Sequence, residues 1–277
     1  MAQEPDFEEV QAPRELRPWV RRYLYANRPL ASDLTVQAKP TGFCYFVNFF
    51  GGNRGDYLTI DRRVVSRRTR WFLCGQITDH DLRFCHRHSL RVTIAELTAT
   101  GHHRLFGTTG SDILGLAAEL ADIAPERACL AGRCFSLGPG GSRDGHVAQA
   151  NAFFTRLAER CLPADEAVEH VVGAIERDHG MVRIAQLCAQ TGIAPRELRR
   201  RFQHAVGMSP KFFAQVMQIK WAVGLLSAQD EASLAVVAQE AGFYDQAHFN
   251  RAMQRFFSES PSAFLRSDNR SFRSFYG

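Results

Sequence analysis

IAQLCAQTG at 184–192 and LAVVAQEAG at 234–242 are the two stretches whose comparison decides the fold of the C-terminal third. Both carry apolar side chains at their first and fourth positions, Ala at the second and Gly at the ninth, and they start 50 residues apart. The likeness continues downstream: Leu198-Arg199-Arg200 is answered by Phe249-Asn250-Arg251, and Ser209-Pro210 by Ser260-Pro261, now 51 apart because the second turn has one more residue. A unit is therefore repeated once. Each copy reads as a short helix, a turn opened by Gly192 or Gly242, and a second helix beginning near Pro195 or Asp245, which is a helix-turn-helix. The glycines suit a chain that leaves a helix in the left-handed region. Pro195 is tolerated in a first turn, and Asp245 can cap free N–H groups.

The second helix of the first copy holds Arg196, Arg199, Arg200, Arg201 and Gln203 against a single acid, Glu197. Leu198, Phe202 and Val206 form its apolar stripe, and at 100° per residue Arg196, Arg199, Arg200 and Gln203 share the opposite face. Residues 181–277 carry 12 Lys+Arg against seven Asp+Glu, which is the whole +5 of a 277-residue chain with 34 Lys+Arg and 29 Asp+Glu. On an isolated helix such a run is most simply a solvated face. In the second helix of a repeated helix-turn-helix it points to DNA.

GFYDQAHFNRAMQRFFSESPSAFLR at 242–266 resembles the signature of AraC/XylS-type transcription regulators, with Gly242, Phe243, Asp245, His248, Phe249, Arg251, Phe257, Ser260, Pro261 and Phe264 in place. Ser209–Leu226 resembles the long helix that joins the two units in that family. The resemblance covers about 165–266 and implies that both second helices enter successive major-groove segments of double-stranded DNA, about 34 Å apart. Carried over by position, the base-reading residues are Arg196, Arg199, Arg200 and Gln203 in the first helix, and Gln246, Ala247, Asn250, Arg251 and Gln254 in the second. Arg suits guanine, Gln and Asn suit adenine, and Ala247 can only touch a thymine methyl. Arg200 and Arg251 are equivalent in the repeat, and either could hold a phosphate or an internal acid instead. Lys211, Lys220 and Arg255 are assigned to phosphates, with a solvated surface as the alternative. Two departures stand out: Ser258 occupies a turn where the family has Gly, implying strain of roughly 1 kcal/mol, and Met253 replaces a common Phe.

Upstream, LTVQA (34–38), FCYFVNFF (43–50), DYLTI (56–60), RWFLC (70–74) and LRVTIAELT (90–98) are short, aromatic or β-branched, and punctuated by Gly, so 20–110 reads as an antiparallel barrel or sandwich. From Ser111 the apolar residues Ile113, Leu114, Leu116, Ala117, Leu120 and Ala121 follow a helical period, with Ser111 and Asp112 as caps. LGPGGSRDG at 137–145 is a loop, and Val147–Arg160 and Glu166–Arg177 read as amphipathic helices. The expected class is α+β: a β-rich N-terminal domain with a terminal helix at 1–137, for which the family resemblance implies a cupin-like barrel, a helical connector at 138–164, and an all-α domain of two helix-turn-helix units joined by a long helix at 165–277, its tail 267–277 disordered. The family resemblance implies that the first domain binds a small-molecule effector or mediates homodimerisation.

Seven cysteines without a C-x-x-C pair, an acidic start and no long apolar run argue for a cytoplasmic protein with no membrane segment. His80, Cys85, His86 and His88 cluster, and His86 and His88 would share a strand face as a metal-binding cupin requires. The acid expected about four residues on is absent, Glu96 being eight after His88. Ordinary strand residues are the simpler account, so no cofactor or metal is assigned, and a metal-dependent cupin-type enzyme fused to a DNA-binding module is the competing reading. Arg62, Arg63, Arg67, Arg68 and Arg70 form a basic segment in which Arg63 and Arg67 resemble the spaced arginines of PilZ-type domains, which grip cyclic dinucleotide phosphates. A basic hairpin surface is the alternative to an anionic effector there. No nucleophile with a base is evident, so the expectation is a DNA-binding transcription regulator and not an enzyme, able to recruit RNA polymerase if it activates.

Overall fold

A computed structural model of the chain describes residues 7–51, 56–61, 63–66, 70–77, 82–228 and 233–266. The chain divides into two compact units, one carried chiefly by the residues up to Ala164 and the other by those from Asp165 onward.

The first unit contains β1 (Glu8–Gln11), β2 (Val20–Pro29), β3 (Leu34–Gln37), β4 (Tyr45–Phe49), β5 (Tyr57–Ile60), β6 (Arg63–Ser66), β7 (Trp71–Cys74), β8 (Leu82–His86), β9 (Ser89–Leu97) and β10 (Ala117–Glu119). Its helices are α1 (Gly101–Phe106), α2 (Leu120–Ile123), α3 (Pro125–Cys134) and α4 (Arg143–Ala158). The strands form a six-stranded sheet in the order β1-β2-β9-β4-β7-β10 and a four-stranded sheet in the order β3-β8-β5-β6. Alternation along the strands decides what each face meets. Tyr23, Ala95, Phe46 and Leu73 are cross-strand neighbours on one face, and Phe46 packs against Phe153 of α4 with ring centroids 5.0 Å apart. Leu24, Ile94, Val47 and Phe72 form the matching row on the other face. That second face meets the smaller sheet, where Phe49 lies 5.6 Å from the His86 ring. Each buried Phe contributes about 2 kcal/mol by apolar transfer, so α4 is built into this unit's core through Phe153 and Phe154, although its sequence position reads as a connector.

Two departures from the sequence reading have physical causes. The expected continuous helix at 111–121 is instead a single 3-10 turn at Gly110–Asp112, then β10, with α2 starting only at Leu120, because Gly115 has φ +69° and Ala117, Ala118 and Glu119 gain ladder bonds against Cys74, Leu73 and Phe72. Those long-range bonds outweigh a local helical period. The second departure is β2, which the sequence hides behind Arg21, Arg22, Asn27 and Arg28. A register shift between Val20 and Arg22 lets the adjacent Arg21 and Arg22 both reach Glu96.

The second unit is helical: α5 (Glu166–Arg177), α6 (Ile184–Thr191), α7 (Pro195–Val206), α8 (Pro210–Ala228), α9 (Leu234–Glu240), α10 (Gln246–Phe257) and α11 (Pro261–Arg266). α8 is its axis, burying Phe213, Val216, Ile219, Val223 and Leu226. Ser209 accepts a hydrogen bond from Phe212 N–H at the start of α8, and Ser260 one from Ala263 N–H at the start of α11. The repeated Ser-Pro is thus a repeated helix start, a capping hydroxyl followed by proline at the first helical position. Among the described residues no helix is long and apolar enough to cross a membrane.

Candidate nucleic-acid interface

α6 and α7 form the first helix-turn-helix, and α9 and α10 the second. Gly192 and Gly242 stand at φ +67° and +71° as the turns require. Leu198, Phe202 and Val206 of α7 are buried, as are Phe249, Met253 and Phe256 of α10. Burial of those stripes turns the opposite faces outward: Arg196, Arg199, Arg200 and Gln203 on α7, and Gln246, Ala247, Asn250, Arg251 and Gln254 on α10, are all exposed. The Asp245 carboxylate accepts the His248 N–H at 2.6 Å and caps α10 directly beside Gln246 and Ala247. At the other end of α10, Ser258 has φ +60°, the left-handed conformation that its place in the family turn implies.

The cations on these faces are not equivalent. Arg200 is held by Glu197 through hydrogen bonds of 2.9 and 2.7 Å, and that contact holds the Glu197 carboxyl below its usual range and raises the Arg200 guanidinium. Arg200 thus takes an internal acid, whereas Arg199 and its exposed neighbour Arg196 make no ion pair among the described residues. Lys211 is exposed at the start of α8, but Lys220 is half-buried and engaged within its surroundings. The Arg255 guanidinium lies over the Phe212 ring at 5.2 Å, a cation–π contact that it would share with any phosphate.

Sequence reasoning counted Arg201 among the basic residues of α7 but missed its partner. Its guanidinium donates two hydrogen bonds of 2.6 Å to Asp165, which also accepts the Val168 N–H as the cap of α5. This fork ties the middle of α7 to the start of α5. The repeat does contain a signal, because the position equivalent to Arg201 in α10 is Ala252, so Arg201 does not belong to the shared DNA-facing pattern.

The chemistry-bearing residues of the first unit are arranged differently from their sequence expectation. His86 is the last residue of β8, while His88 is exposed in the following turn at φ +66°, so the two do not share a strand face. His86 pairs with the buried Asp56 at 3.3 Å, whose other oxygen accepts the Arg87 N–H. His80 lies outside the described residues. Glu96 is not available to a metal, being taken by Arg21 at 3.0 Å and Arg22 at 3.1 Å. Burial opposes charge on Arg22, yet Glu96 and Glu9 raise its pKa overall. Among the described residues no three His, Cys, Asp or Glu side chains form a metal-binding group. Arg63 opens β6 with its side chain exposed, and Arg67 lies outside the described residues.

The sequence of the helical unit is similar to known helix-turn-helix regulators. A family profile described as a helix-turn-helix domain matches residues 187–267. A probable AraC family transcriptional regulator from Rhodopseudomonas palustris, of known structure, is 33% identical over 37% of this chain and 96% of its own, with a TM-score of 0.33. An uncharacterized HTH-type transcriptional regulator of Haemophilus influenzae is 27% identical over 97 residues, 35% of this chain. The chain spans about a third of that relative's length, 32%. ToxT from Vibrio cholerae, solved with a bound unsaturated fatty acid, is 13% identical over 96% of this chain and 97% of its own, with a TM-score of 0.47.

Proposed function

Because the chain belongs to the AraC family of helix-turn-helix transcriptional regulators, we propose that it reads two successive major-groove segments of double-stranded DNA with α7 and α10. The observation that carries this is the pair of exposed polar faces, each backed by a buried aromatic stripe, on helices of the same repeated unit. Arg196 and Arg199 are free to make forked contacts to guanine, and Gln246, Asn250 and Gln254 to adenine; Gln203 and Arg251 complete the two faces, and Ala247 offers a methyl contact. Arg200 reads a base only by leaving Glu197. Lys211 supplies backbone attraction, with Lys220 and Arg255 as secondary phosphate contacts. The first unit is assigned control by a small-molecule effector and self-association to a homodimer, with contact to RNA polymerase where the protein activates. Arg63, exposed on a hairpin, is where an anionic effector such as a cyclic dinucleotide would be sought.

Genome-wide mapping of bound DNA, followed by footprinting of one site, tests the reading. The expected footprint is two protected major-groove segments about one helical turn apart. Equal affinity for mapped and random DNA at physiological salt would remove sequence-specific reading.

A further inference from the structure

The first helix-turn-helix carries a second surface. Between α5 and α6 runs a groove of about 530 Å³, lined by residues of those two helices and of the segment joining them, with no side chain from α7. α7 commits its apolar stripe to the core and its polar face to solvent, so the groove is a surface separate from the α7 reading face. Ala174 and Leu187 form a buried apolar floor, and Met181 stands at the edge, 45% exposed. Arg177 closes α5 three residues after Ala174 and Arg183 precedes α6 four residues before Leu187, so both stand beside this floor toward the segment joining the helices; both are exposed, and neither guanidinium makes an ion pair or hydrogen bond among the described residues. His170 is turned toward Gln190, 3.4 Å away, and Asp178 is the single acid in the lining.

Two free guanidinium forks beside an apolar floor match a segment that carries carboxylates next to an apolar side chain. A phosphate backbone would satisfy the arginines and leave the floor empty, while Met181 is suited to adapt around an inserted side chain. We propose that this groove docks a protein partner through a segment that inserts one apolar side chain against Ala174 and Leu187 and presents Asp or Glu to Arg177 and Arg183. The docking role rests on the reading of this unit as DNA-bound, since the groove lies outside the α7 face assigned to that binding.

The full-length protein with Arg177→Glu and Arg183→Glu tests it in two measurements. Affinity for the mapped DNA site, by fluorescence anisotropy, is expected to stay within about threefold, because both substitutions lie off the reading face and exposed charges are screened beyond about 8 Å. Regulation of the cognate promoter in a reporter strain is expected to fall at least about fivefold, as for loss of charge complementarity at an interface. A labelled peptide with one leucine between pairs of acidic residues should bind the wild-type protein and not the double variant. DNA affinity falling together with regulation would make the arginines phosphate contacts and overturn the proposal, as would unchanged regulation or a peptide that binds both proteins alike. Wild-type protein that binds no DNA would sink the reading of α7 and α10 instead, and peptide binding would still judge the groove.

Discussion

Ser258→Gly is expected to stabilise the protein. Ser258 closes α10 at φ +60° and ψ 22°, its N–H donating to the Gln254 carbonyl at 3.0 Å, and its side chain is exposed. An L-residue in this region costs about 1–2 kcal/mol through the clash of Cβ with the following carbonyl. Glycine removes that clash but gives the unfolded chain more freedom, which offsets about 0.5–1 kcal/mol. The net gain is therefore about 0.5–1 kcal/mol, a rise of roughly 2–8 °C for a transition of a 60–100-residue unit. Scanning calorimetry of the full-length protein reads this directly. Ser258→Asn, which tolerates the left-handed region, should fall between wild type and Gly, and Ser258→Val should be the least stable of the series because β-branching crowds that conformation. DNA affinity should change little, since Ser258→Gly keeps the left-handed turn and replaces no side chain of the reading face. A Gly variant no more stable than wild type, or Val equal to Gly, would refute the claim that backbone strain is stored at this turn.

Arg199→Ala should weaken the cognate complex by about 1–3 kcal/mol and relax base preference, while Lys211→Ala should weaken all sequences alike and reduce the salt slope by about one; equal losses on cognate and random DNA for Arg199→Ala would reassign it to phosphate. Arg201→Ala should cost about 1 kcal/mol, the upper range for a half-exposed but forked ion pair, and urea unfolding with an unchanged midpoint would show that its 2.6 Å contacts to Asp165 are without net value. His102 is fully buried, and burial pushes its imidazole down to about 3, below the ordinary value near 6.5. The unfolded state then binds the extra proton, so this contribution is present above pH 6.5 and is lost as pH falls toward 3. About 2 kcal/mol should go between pH 6.5 and 5, and His102→Leu should flatten that part of the stability profile; a profile with the same slope in both proteins would rule His102 out.

The helical unit was legible because its signals are local. Apolar spacing, turn glycines, the Asp245 cap and the Ser-Pro starts act within a few residues of one another, and the helices fall where those signals place them. The β-rich unit was legible only in outline. β2 and β10 escaped notice because their strand character lies in partners distant in sequence, and the 111–121 period was overridden by pairing with β7. Arg201 was placed among the basic residues of α7 but not assigned to Asp165, since nothing in the chain near 201 names an acid 36 residues upstream.

By itself the sequence determined a repeated helix-turn-helix and the outward face of α7, consequences of the 3.6-residue period and of backbone preferences at single residues, while the family resemblance implied the α10 face and the strained turn at Ser258. Only the tertiary structure decided which charges are free. It gave Glu96 to Arg21 and Arg22, Asp56 to His86, Glu197 to Arg200 and Asp165 to Arg201, and left Arg177, Arg183, Arg196 and Arg199 without acids among the described residues. A charge's partner depends on which chain segments packing brings within about 4 Å, and for most of these pairs the partner lies tens of residues away, beyond the reach of any local pattern.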